Sequence, residues 1–152
     1  METLSAITRY CQYQERCHSE VRNKLYELGC YTREVDDKIA TLIEAGLLNE
    51  ERFARAYARG RFRMKQWGRE KIKYELRIKK VSDYCIKKGL SEIDEEDYDA
   101  TFNKLFDRKL EELKSERSKA TLKSKLYRFM SQKGYEKDII LEKIKTSVES
   151  KK

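Results

Sequence analysis

LLNEERFARAYARGRFRMKQWGREKIKYELRIKKV, residues 47–81, carries no proline and breaks its apolar periodicity once, at Gly68. Asn49, followed by Glu50 and Glu51, reads as a helix start: the Asn side chain takes free backbone N–H groups and the acids complement the helix dipole. That helix is predicted to run to about Gln66, and a second follows Gly68 with Ile72 and Leu76 on its buried side. At 100° per residue, Phe53, Tyr57, Gly60 and Met64 fall on one face of the first helix and Arg52, Arg55, Arg59 and Arg63 on the opposite one. Phe53, Tyr57, Met64, Ile72 and Leu76 are therefore the expected core of this segment.

The same signals continue outward. Thr32 precedes a helix with Val35, Ile39, Leu42 and Ile43 that Gly46 ends; Ser82 caps a short one ended by Gly89; the acidic run around Asp94 to Asp99 opens a long one through Phe102, Leu105, Phe106, Leu110 and Leu113. Helices over 122–133 and 136–147, and an earlier pair over 3–14 and 18–28, bring the total to about nine. Charged residues make up 41% of the chain against a globular norm of about a quarter, and there is no proline, so a thick α/β core is excluded and an all-α fold expected. A weak repeat runs through it: Leu25/Gly29/Cys30, Leu76/Lys80/Val81 and Met130/Gly134/Tyr135 each set an apolar residue four before a turn position and another just after, 51 and 54 residues apart. Three tandem three-helix repeats, residues 1–48, 49–93 and 94–152, follow as the expected organisation, stacked into an elongated, curved string.

The 152 residues carry a net charge of +8 and a pI near 9.2, a balance that favours polyanionic partners. Between Arg52 and Lys80, twelve basic residues face only Glu70 and Glu75, a local charge of +10. Arg69, Lys73, Arg77 and Lys80 form a ridge on the second basic helix, and Trp67 lies in the turn between the two. Cations spread over one surface with an aromatic plane beside them suit a chain of phosphates with unstacked bases. The candidate nucleic-acid-binding residues are thus Arg52, Arg55, Arg59, Arg63, Trp67, Arg69, Lys73, Arg77 and Lys80. Arg61, on the shoulder of the apolar face, is expected to pair with a carboxylate such as Glu51 or Glu75, and Trp67 serves equally well as a packing anchor. The acidic segment from Glu92 to Asp99 either satisfies a helix N-terminus or fences off the basic surface.

Other functions find no support in the sequence. Cys11, Cys17, His18 and Cys30 cluster near the start without C-x2-C spacing, so no metal site is expected, and the four cysteines are expected to be reduced. One histidine, and neither a phosphate-cradling glycine loop nor a nucleophile motif, leave no catalytic residues and no cofactor to assign. The start resembles neither a signal sequence nor a transit peptide, and no apolar run would span a bilayer; a cytoplasmic location, without a membrane partner, is the expectation.

Residues 47–81 resemble the RecX regulatory family in the opening from Asn49 to Ala54 with its Phe53, in Tyr57, Arg61, the Gly68 turn, Ile72, the Glu75-Leu76 pair and Lys79. Glu20-Val21, Lys24-Leu25, Gly29 and Leu42 on one side, and Phe129, Lys133 to Tyr135 and Ile139 on the other, fit the family's first and third repeats. Lys80 departs from the pattern, standing where the family usually has glycine. The resemblance implies a non-enzymatic regulator, a monomer, that lodges in the groove of the RecA recombinase filament on single-stranded DNA. It would inhibit recombinase, ATPase and coprotease activities, and so act in DNA repair, recombination and the SOS response. A basic helical nucleic-acid-binding protein without recombinase affinity, and a helical scaffold for an acidic partner, are the alternatives that the residues alone leave open.

Overall fold

The computed structural model describes residues 2–149, and among these it holds nine α-helices and no strand. They are α1 (Glu2–Tyr13), α2 (His18–Glu27), α3 (Thr32–Glu44), α4 (Glu50–Lys65), α5 (Arg69–Ile78), α6 (Asp83–Leu90), α7 (Glu95–Glu112), α8 (Lys119–Lys133) and α9 (Lys137–Ile144), with a π-helical turn over Lys145–Glu149. Side-chain caps set several starts: Asn49 accepts the Arg52 N–H at 2.9 Å, Ser82 that of Cys85 at 3.2 Å and Asp94 that of Asp97 at 3.1 Å. Several boundaries differ from the sequence expectation: α8 starts at Lys119 behind a Ser118 cap, three residues before Leu122, and α9 gives way after Ile144 to the π-helical turn. Thr32 is the first residue of α3 rather than its cap, because Glu34 reaches back to accept the Tyr31 N–H at 3.0 Å. Gly89 lies inside α6, where it is needed for close approach and not for a turn: a Cβ there would come within 2.6 Å of the Ala54 carbonyl oxygen.

The three repeated positions are three copies of one turn. Gly29, Lys80 and Gly134 hold φ of +91°, +64° and +99°. In each, the next residue's N–H returns to the apolar residue five back: Cys30 to Leu25 at 3.1 Å, Val81 to Leu76 at 3.1 Å and Tyr135 to Met130 at 3.2 Å. The turn residue itself bonds three back, to Tyr26, Arg77 and Ser131. This is the Schellman pattern, and the apolar pair that it brings together is buried in all three.

The chain forms two compact units. The first joins the residues up to Arg59 with Glu75–Glu92; the second joins Gly60–Tyr74 with the chain from Ile93 onward. Helices α4 and α5 are thus each divided between them. In the first unit, Ile7, Cys11, Val21, Leu25, Cys30, Val35, Ile39, Leu42 and Leu48 form a continuous core. In the second, Tyr98 lies at the centre of an aromatic group, 5.9 Å from Phe62 and 5.1 Å from Tyr135, with Phe102 against Tyr135 at 5.4 Å.

Phe53, Ile72 and Leu76 are buried as expected, Tyr57 only half so, and Met64 is 85% exposed, which removes it from the core. The buried line along α4 is instead Ala54, Ala58 and Phe62. A four-residue step advances about 40° round the helix, so this line has turned away from Phe53 by the last turn and carries Met64 out to solvent. The alanines were invisible to a search for bulky side chains; their small size is what allows Gly89 to meet the backbone at Ala54.

Candidate functional site

On the first unit, α4 presents its arginines with carboxylates already in place. Arg52 Nε meets Glu15 at 2.6 Å and its Nη2 donates to the Gly46 carbonyl at 3.0 Å. Arg55 donates through Nε to Glu51 at 3.0 Å and through Nη1 to Glu92 Oε2 at 2.7 Å, while Arg59 Nη1 takes the other Glu92 oxygen at 2.8 Å. These bonds, Arg59's ahead of Arg55's, hold the Glu92 carboxyl below the ordinary range, and Glu92 with Glu51 raises Arg55. At the C-terminal end of α5, Arg77 lies 3.8 Å from Asp83 with both largely exposed. Lys79 is fixed more firmly: Glu20 takes its ammonium at 3.1 Å and Ser19 donates to its carbonyl at 2.6 Å. Burial alone would lower Lys79, and the bond and charge of Glu20 outweigh it, leaving it raised.

On the second unit, Arg69 stacks over the Tyr98 ring at 3.8 Å and pairs with Glu95 at 2.5 Å and Glu136 at 3.0 Å. Tyr98 donates its hydroxyl to the other Glu136 oxygen at 2.5 Å, and burial first, then this bond, pushes its ionisation far up. Three of the amides that open α5 are taken by the chain itself: Gly68 N–H by Lys133 O at 2.7 Å, Arg69 N–H by the Tyr98 hydroxyl at 2.9 Å and Glu70 N–H by Gly134 O at 2.8 Å. Most of the donors that a helix start would offer an anion are thus already in use. Trp67 is half-buried, its ring 5.5 Å from the Arg61 guanidinium and 4.6 Å from the Lys71 ammonium.

Of the nine candidate binding residues, Arg52, Arg55, Arg59, Arg69 and Arg77 thus face carboxylates of their own chain, whereas among the described residues no ion pair forms at Arg63, Lys73 or Lys80. Arg63 and Lys80 are exposed and Lys73 half-exposed. Glu75, beside Leu76, is half-buried. Sequence reading missed Glu92, Glu95, Glu136 and Tyr98 as partners, since their acids and hydroxyl lie 26 to 67 residues from the arginines they meet. The acidic segment divides its roles: Asp94 caps α7, while Glu92 and Glu95 hold arginines.

Cys11, Cys17 and Cys30 are buried free thiols; burial raises the first two, in Cys17 against hydrogen bonds that lower it. Among the described residues no group of three or more His, Cys, Asp or Glu is placed to hold a metal ion, and no helix is long and apolar enough to cross a membrane.

The family described as RecX, second three-helix domain, matches residues 49–90. The regulatory protein RecX of Clostridium perfringens is 40% identical over 124 residues, 81% of this chain and 58% of the relative, so the chain spans little more than half the length of that protein. The regulatory protein RecX of Pelodictyon phaeoclathratiforme is 35% identical over 80% of this chain and 74% of its own length. Among solved structures, RecX from Lactobacillus salivarius superposes with a TM-score of 0.83 at 25% identity, covering 97% of this chain and 95% of that one. Relatives named as regulators, matched across four fifths of the chain and in the basic central segment itself, settle the kinship: this chain belongs to the RecX family of regulatory proteins.

Proposed function

We propose that this protein binds the RecA recombinase filament on single-stranded DNA and inhibits its recombinase, ATPase and coprotease activities, from the cytoplasm and as a monomer. The observation that carries this reading is the match of the RecX second three-helix domain to residues 49–90, which coincides with the segment of +10 charge. Arg63 and Lys80 are exposed cations suited to phosphate, and the arginines of α4 show by their Glu15, Glu51 and Glu92 pairs that they also accept carboxylates. The filament groove would present both kinds of anion. Residues 1–48, 49–93 and 94–152 would act as successive repeats along it.

The test adds the protein to its cognate recombinase on single-stranded DNA and follows ATP hydrolysis. A fall in rate with increasing protein is expected; an unchanged rate at several-fold excess overturns the reading. The carboxylate pairs favour one second reading, a scaffold for an acidic protein surface other than the recombinase. It predicts the unchanged rate, and association that does not depend on DNA.

A further inference from the structure

Arg55 and Arg59 stand one turn apart on α4 and close on the two oxygens of a single carboxylate, that of Glu92, at 2.7 and 2.8 Å. Glu92 is not brought there by its charge alone. Its own N–H donates to the Gly89 carbonyl at 3.1 Å, so its backbone belongs to the end of α6, and α6 is held to α4 where Gly89 meets Ala54. The fold thus delivers an anion to the arginine pair. Arg55 is oriented independently, because Glu51 holds its Nε at 3.0 Å and leaves Nη1 directed at Glu92.

A carboxylate taking one guanidinium N–H on each oxygen has the geometry in which two phosphate oxygens are bound. The three side chains are 32%, 41% and 25% exposed, so solvent and a ligand reach the cluster, and ion pairs exposed to this degree are weak enough to exchange. We infer that Arg55 and Arg59 form a two-guanidinium site for the phosphodiesters of single-stranded DNA, and that Glu92 is its built-in competitor, which phosphate must displace. The inference rests on the reading that this chain meets DNA, and it adds to that reading a specific site and its restraint.

The test measures binding of the full chain to a labelled oligo(dT) across a range of salt. Glu92→Gln keeps size and one acceptor, and Glu96→Gln removes an equal charge from an exposed position of the same acidic segment as a control. Glu92→Gln is expected to bind about three- to tenfold tighter than Glu96→Gln, with a salt slope steeper by about 0.7 for each phosphate contact regained. Arg59→Ala should weaken binding more in the Glu92→Gln background than in the original chain, a comparison that does not depend on any one variant. Equal affinity of Glu92→Gln and Glu96→Gln, a gain that survives Arg59→Ala, or no binding of oligo(dT) by any form overturns the inference. Failure of the recombinase reading is seen elsewhere, in ATP hydrolysis; a carboxylate-only site would leave oligo(dT) affinity unchanged while Glu92→Gln altered inhibition.

Discussion

Lys80 holds φ at +64° where the other two copies of its turn hold glycine, and its side chain is exposed and forms no ion pair among the described residues. A residue with a Cβ in this region is destabilised by about 1–2 kcal/mol, and glycine, which escapes that, loses more chain entropy on folding by about 0.5–1 kcal/mol. Lys80→Gly is therefore expected to stabilise by about 0.5–1 kcal/mol, a rise of about 1–4 °C in Tm by calorimetry. A fall in Tm would mean that the Lys80 stem packs favourably enough to offset its backbone.

At the scale of elements, α5 is secured at both ends by backbone. The carbonyl of Lys79, just past its last residue, accepts from the Ser19 hydroxyl at the start of α2, and its first amides meet Lys133, Tyr98 and Gly134. The second junction leaves no room for a side chain: a Cβ on Gly68 would collide with the Gly134 carbonyl. Gly68→Ala must push the turn at Gly134 off the helix start and is expected to cost about 1–3 kcal/mol, read as a lower midpoint in urea, with the all-helical circular dichroism retained. An unchanged midpoint would show that α5 can slide on this turn. Gly68 was legible as a break, but not as a contact, because its neighbour lies 66 residues away in the chain. The Schellman turns at the three repeated positions could be read in advance since their signal, an apolar pair around a left-handed position, is complete within six residues. The buried face of α4 could not, since alanine shows its use only when a partner approaches.

For the whole molecule, an excess of eight positive charges makes the acids disproportionately important. Glu92 and Glu116 ionise below their ordinary 4.5, Glu92 through Arg59 and Arg55 and Glu116 through Lys125 and the Ser118 amide. A group lowered on folding contributes stability that is full above its unfolded value and is lost as pH falls through its folded one. Thermal melts should therefore be level above about pH 5 and drop below about pH 4, with added salt restoring part of the loss by screening the unbalanced arginines. Stability unchanged at about pH 3 would mean that these pairs are as well satisfied by water. Fold class and the repeat were legible from composition and local spacing. The anion partners of the basic helices were not, because electrostatic pairing across tens of residues leaves no period in a sequence.

The division of α5 also sets an order of events during synthesis. Every segment of the first unit has left the ribosome once Glu92 has emerged, so that unit can close on the nascent chain. The three amides that open α5 must wait in water until Tyr98, and then Lys133 and Gly134, are made. The nascent protein thus carries a helix finished at its far end and frayed at its near end, and translation of the last third of the chain completes it.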